Sequence, residues 1–368
     1  GYHRRVVRRS LVLTVSLVLA SAMTATGQGS PPGLAGYATE EVEPGVWRVD
    51  SDGVRDLARP YDQTPPRAGV VAGPDGSVWL LGPREHLELG GEAVPLDKAR
   101  RPRQDTFAKA AVGPDGRLWW TARGLHVHDG TEWRTARKAP RKGAIGAVLP
   151  MSDGVILATL TQAGKTQLAR FDEDGWVVPS RRLAGSGEAI ASDGRTTLLA
   201  TAAPSSVWRQ DSGGWSRLKL PAGELQAAAL ADDVTFWVRL AREGEGDAAT
   251  EPVLGYWDGD SWTIYRSAHA IPASGTAFGG HGTHAVGPDG TLWFPARDLA
   301  ADPLADCDGI ASFDRKSVTW RLRDHCVHDI DIAPDGGVWF IASKPAEPVD
   351  GEITAIGPIE LFHIPSGS

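Results

Sequence analysis

Seven side chains able to move a proton, hold an ion or anchor a polar ligand stand just ahead of short apolar runs: Lys109, Glu188, Gln226, His281, His284, His328 and Asp329. Each precedes an aspartate-containing turn by five to eight residues, an offset at which most other copies of the same pattern carry Ala, Gly or Val. Brought together they form a ring of mixed charge, suited to a small polar ligand or a cation held by convergent groups. The same ring can also hold only water. The stretch DHCVHD, Asp324 to Asp329, adds two His and two Asp beside Cys326. His281, His284, His325 and His328 are the candidate metal ligands, but no spacing among them enforces a coordination geometry, so no metal site is assigned. A divalent cation is the one cofactor the pattern allows, and no residue is assigned a catalytic role.

These residues must be positioned by the phrase that follows them. VVAGPDGSVWLLG from Val70, AAVGPDGRLWWTA from Ala110, HAVGPDGTLWFPA from His284 and DIAPDGGVWFIAS from Asp331 are copies of one unit. VLPMSDGVILATL, IASDGRTTLLAT and AALADDVTFWVRL are weaker copies between them. The turn aspartates Asp75, Asp115, Asp153, Asp193, Asp232, Asp289 and Asp335 are spaced by 40, 38, 40, 39, 57 and 46 residues. An apolar run, a Pro-Asp-Gly turn and a β-branched or aromatic run make a hairpin. A second hairpin follows around Asp-Gly-type turns, as in LHVHDGTEWRTA from Leu125 and LGYWDGDSWTIY from Leu254. Four strands in a period near 40 make a propeller blade. The fold expected is all-β: a seven-bladed β-propeller of four-stranded antiparallel blades. GVWRVDSDGVRDL, from Gly45, has the outer-hairpin pattern with no inner hairpin before it, and IELFHIP, from Ile359, gives the last unit only a third strand. The N-terminal strand is therefore expected to complete the last blade and close the ring.

Blade geometry places the first strand along the central channel, with the candidate ring at its mouth. Three insertions fall on that same face: Ala241 to Pro252, Arg297 to Asp308 and Lys344 to Pro358, in blades five, six and seven. Long loops on a rigid scaffold are where recognition concentrates. Cys307 and Cys326, the only two cysteines, fall there as well, and in an oxidising compartment a disulfide between them is expected. The turn aspartates read as structural, and Trp79, Trp119, Trp237, Trp293 and Trp339 read as packing between blades.

The repeated GPDG-x-[LV]-W-[FLW] with its Asp-Gly hairpin resembles the propellers of streptogramin (virginiamycin B) lyases and of two-component-regulator sensors, over about Gly45 to Pro365. The resemblance implies a propeller. For the lyases it also implies proton abstraction and ring opening by His and Glu near a divalent metal. His284 and His328 stand near the matching strand starts. The family's WFTE glutamate is missing here, with Gly82, Ala122, Ala296 and Ala342 at the equivalent places.

The N-terminus, RRVVRRSLVLTVSLVLASAMTATG, has a basic run, an apolar core and small residues, so 1–27 reads as a signal peptide or a membrane anchor. A beginning at Gly1 leaves room for further sequence upstream. Residues 28–41 read as a linker and 42–368 as the propeller. The protein is expected to be extracytoplasmic, secreted or anchored by its N-terminal segment, which is its one membrane contact. The formal charge of −8 becomes −12 without the four arginines of that segment, which excludes nonspecific nucleic-acid binding. The expected partner is an unknown protein or a small polar ligand, and the propeller is expected to be monomeric. Three functions follow: a binding or sensing module using the loops of blades five to seven, a C–O lyase at the channel mouth, or the extracytoplasmic sensor of a membrane-anchored protein.

Overall fold

The computed structural model describes residues 34, 37–50, 69–82, 85–91, 93–96, 109–121, 124–136, 143–202, 205–231, 235–242, 251–266, 284–295, 309–345 and 356–367. Among these no helix is long and apolar enough to cross a membrane. His281, Cys307, the first 33 residues and the centres of the three long insertions lie outside the described residues.

The inner hairpin of each unit is built by its turn. In blade one, Gly76 N–H donates to Gly73 O at 3.1 Å and Gly73 N–H donates to Ser77 O at 2.7 Å, closing the loop around Pro74 and Asp75. Asp75 Oδ1 accepts from Ser77 N at 3.1 Å, and Asp115, Asp153, Asp289 and Asp335 accept from the residue two places on in the same way. These aspartates are turn residues, as the sequence indicates. Gly76 has φ of +85° and Gly290 of +80°, a conformation in which a side chain is strained.

Seven antiparallel sheets result, one for each unit. The innermost strands are Gly69–Ala72, Ala110–Val112, Ala144–Pro150, Ser186–Ser192, Glu224–Leu230, Ala285–Val286 and Cys326–Ile332. Each touches the next, and the last touches the first, so the ring is closed around a channel. The fold is a seven-bladed β-propeller.

The conserved-looking tryptophans of the second strands hold neighbouring blades together. Trp79 packs with Val112, Leu118 and Trp120 of blade two, and Trp339 packs with Val70 and Leu80 of blade one. Trp237 lies among Leu292, Phe294 and Phe313 of blade six, where its Nε1–H donates to Gly290 O at 3.0 Å. The indole thus fills the seam and also satisfies a carbonyl in the next blade's turn.

Blade seven closes the ring with five strands rather than four. From the channel outward they are Cys326–Ile332, Val338–Pro345, Ile356–Ile364, Val46–Val49 and Thr39–Glu43. Val46–Val49 supplies the fourth strand, with Trp47 opposite His363 and Val49 opposite Leu361. Its hairpin partner lies upstream, in Thr39–Glu43. The turn that permits this is Pro44-Gly45, with Gly45 at φ of +76° and its N–H bonded to Glu41 Oε1 at 2.9 Å. The preceding residues are packed too. Leu34 is fully buried among Val49, Val70, Leu80, Leu87 and Leu361, and Tyr37 Oη donates to Leu89 O at 3.1 Å. One N-terminal segment therefore completes blade seven and is fastened to blade one.

Candidate functional site

The starts of the inner strands share an irregularity. In blades three, four, five and seven the ladder between the first and second strands slips by one residue, at Ile145/Val148, Gly187/Ala189, Leu225/Ala227 and Val327/Asp329. The extra residue is Glu188 in blade four, Gln226 in blade five and His328 in blade seven. A bulge frees one residue from the alternation of the strand and re-aims its side chain. Lys109 and His284 reach the same level differently, each immediately preceding a short inner strand. Five of the seven sequence candidates thus stand at the starts of inner strands, and Asp329 directly follows His328. The side chain of Gln226 and all of His281 lie outside the described residues.

Lys109 is fixed at both ends. Its backbone N–H donates to Thr121 Oγ1 at 2.9 Å, and that hydroxyl and the Thr121 N–H both donate back to Lys109 O, at 3.1 and 3.0 Å. Its Nζ donates to the backbone carbonyl of Glu188 at 3.0 Å. Burial pushes the ammonium pKa down, opposed by the charges of Glu188 and Asp329. Blade two thereby reaches past blade three to blade four, and it also senses blade seven.

The two histidines are held neutral. His284 Nε2 lies 3.3 Å from Ala228 O of blade five, so Nε2 is the protonated nitrogen. Burial lowers its pKa to about 4; the Ala228 carbonyl opposes this and the Lys109 charge adds to it. His328 Nε2 lies 2.8 Å from Ser343 Oγ, and burial lowers its pKa to about 4 also.

Asp329 is 8% exposed. Burial raises its pKa well above the usual carboxylate range, against a hydrogen bond accepted from Val70 N at 2.9 Å. Two residues on, Asp331 Oδ2 accepts from Ala72 N at 2.8 Å. Two carboxyl groups of blade seven therefore cap successive outward N–H groups of blade one, at the seam where the ring closes. Gly69 is part of this arrangement, because a Cβ there would lie 2.8 Å from Asp329 Oδ2.

Lys109, Glu188, His284 and Asp329, from blades two, four, six and seven, are thus coupled electrostatically around one channel mouth. His325 is set apart. It is buried beside the last blade, 2.6 Å from Asp324 Oδ1 and 3.8 Å from Glu360 Oε2, with Glu360 bonded to Arg48 at 3.0 Å. No group of three His, Cys, Asp or Glu side chains with metal-binding geometry occurs among the described residues. Thr121, Ser343, Gly69 and Asp331 were not singled out from the sequence. For Thr121 the available signal was its place two residues after Trp119, on the same face of the second strand.

The insertions of blades five and seven begin as continued ladder rather than as loop. Ala241 and Arg242 pair with Pro252 and Glu251, and Pro345 pairs with Ile356. Cys326 opens the inner strand of blade seven on this face.

No protein-family model matches the chain, and no curated protein matches it. Solved structures do match in fold. A streptogramin B lyase superposes with a TM-score of 0.54 at 16% identity, covering 80% of this chain and 92% of that one. Virginiamycin B lyase from Staphylococcus aureus gives 0.53 at 15% identity, covering 83% and 95%. YCF48 from Cyanidioschyzon merolae gives 0.50 at 13% identity, covering 82% and 95%. At such identities the likeness concerns the propeller alone.

Proposed function

We propose that the chain is an exported binding or sensing module that takes a small polar ligand at the channel mouth, with the insertions of blades five to seven forming the rim around it. The observation that supports this most is the convergence of Lys109, Glu188, His284 and Asp329 from four separate blades. Asp329 also caps a strand of blade one, but burying charged groups such as these costs stability. Sites that keep such groups at the mouth of a rigid scaffold are suited to orienting a ligand through a few placed polar contacts. A disulfide between Cys307 and Cys326 belongs to the same reading, stapling the rim in an oxidising compartment.

The lyase reading is the alternative, favoured by the placement of His284 and His328 near the starts of inner strands. Against it, both imidazoles already have partners in Ala228 O and Ser343 Oγ, and the buried Ala342 stands at a position where the lyase pattern has glutamate. A thermal-melt screen separates the readings. Divalent cations, glycans, amino acids and streptogramin-like lactones are tested on the wild type and on a His284→Ala/His328→Ala double variant. A ligand that stabilises the wild type by mass action and not the variant supports the site. Turnover of the lactone would favour the lyase. No shift with any ligand would leave the mouth as a water-filled ring.

A further inference from the structure

The pairing at the channel mouth is incomplete in a way that points to a ligand. Lys109 and Glu188 carry opposite charges and act on one another electrostatically. Yet the Lys109 ammonium bonds the backbone carbonyl of Glu188, not its carboxylate. That carboxylate makes no hydrogen bond or ion pair among the described residues, and the ammonium has two further N–H donors with no described acceptor. Both side chains are half-buried, so each still meets the mouth. An ammonium and a carboxylate confined this closely ordinarily meet, because partial burial strengthens their attraction. Here the carbonyl of Glu188 holds the ammonium, and no ion pair joins it to the carboxylate among the described residues.

We infer that these two side chains together receive a zwitterion of the α-amino-acid type, whose carboxylate bonds Lys109 and whose ammonium bonds Glu188. The inference rests on the channel mouth being a ligand site, and it names the ligand's class. The surrounding groups suit such a guest. His284 Nε2 and His328 Nε2 lie against Ala228 O and Ser343 Oγ, and Asp329 Oδ2 accepts from Val70 N–H, so these atoms do not compete for either end. Fixed charges of opposite sign at the two ends also reject singly charged ligands, which leave one protein charge without a partner.

The test is isothermal titration with glycine as the probe, and with acetate and methylammonium as its two halves. The wild type binds glycine, and each half binds at least about thirtyfold more weakly, the loss that follows from leaving one charge of a confined pair unmatched. In Glu188→Gln glycine loses its advantage over acetate. In Lys109→Gln it loses its advantage over methylammonium. Circular dichroism and melting curves establish that both variants are folded. Equal binding of glycine and acetate by the wild type overturns the inference, as does glycine binding that neither substitution changes. If glycine fails while another ligand from the melting screen binds in a manner that depends on His284 and His328, the site stands and the zwitterion does not. If no ligand binds, both fall.

Discussion

The Lys109 ammonium donates to the carbonyl of Glu188 at 3.0 Å, so this contact reaches from blade two past blade three to blade four. The contact costs the protein the desolvation of a cation, and one hydrogen bond to a carbonyl offsets that cost only in part. Lys109 is therefore expected to serve the site at the expense of the fold.

Lys109→Met should raise the urea midpoint at pH 7 while removing ligand binding. The sign follows from burial, which lowers the folded-state pKa below the ordinary 10.5. A lysine shifted this way penalises the folded state fully below its folded pKa, and the penalty disappears as pH rises through 10.5. The gain in the variant should shrink accordingly in alkali. A lower midpoint at pH 7 would mean that Lys109 holds the blades together.

Acid should weaken the propeller through its buried histidines. His86 is 0% exposed, set edge-on against Trp120 and Trp133 with centroids at 4.4 and 5.4 Å, and neither ring nitrogen has a hydrogen-bond partner among the described residues. Burial lowers its pKa to about 3, and the charge of His128 adds to the effect. Between about pH 6.5 and that value the unfolded chain binds a proton that the folded chain refuses, so stability falls as pH falls. His86→Phe should match or exceed the wild type at pH 7 and lose less of its urea midpoint at pH 4.5. Equal losses in the two proteins would remove His86 from the account.

At the closing seam, Gly69→Ala sets a methyl group against Asp329 Oδ2 and should cost about 1–3 kcal/mol, as overpacking of a tight site does. Asp329→Asn keeps an acceptor for Val70 N–H without a carboxylate whose charge burial disfavours. Because the folded-state pKa of Asp329 is raised, its contribution is lost as pH rises, and the Asn variant should gain most over the wild type at neutral and alkaline pH. Chemical denaturation of the two single variants and of Gly69→Ala/Asp329→Ala measures whether the clash is relieved when its partner is removed.

Leu34 tests how the ring is fastened. Its side chain is fully buried against both blade one and blade seven, so Leu34→Ala should cost about 2–5 kcal/mol. A chain beginning at Tyr37 should show a similar fall in melting temperature. Unchanged stability in both would mean that the strand Val46–Val49 closes the ring without help from upstream.

The hairpin turns and the tryptophans were legible in the sequence because their causes are local: a turn needs its Pro, Asp and Gly in consecutive places, and a strand announces its buried face by alternation. The ring of seven followed from the spacing of those turns. The site was legible only as a set of polar residues at one offset. What joins them was not, since Lys109 and Glu188 are separated by 79 positions and meet through a backbone carbonyl that has no sequence signature. The bulges at Glu188, Gln226 and His328 were equally hidden, because a one-residue slip leaves the composition of the strand unchanged. The upstream hairpin partner of Val46–Val49 was overlooked because Thr39–Glu43, rich in glutamate, reads as a solvated linker until it is seen as the exposed edge of blade seven.

The most direct test of the account is nuclear magnetic resonance of the histidine rings, titrated with the ligand that raises the melting temperature most in the screen. His86 and His363 are buried, His284 and His328 are half-buried, and all four are neutral above about pH 4, but only His284 and His328 stand at the channel mouth. The account predicts that the signals of His284 and His328 move together and saturate, while those of His86 and His363 stay in place. Movement of His86 or His363 with the mouth histidines silent would contradict it.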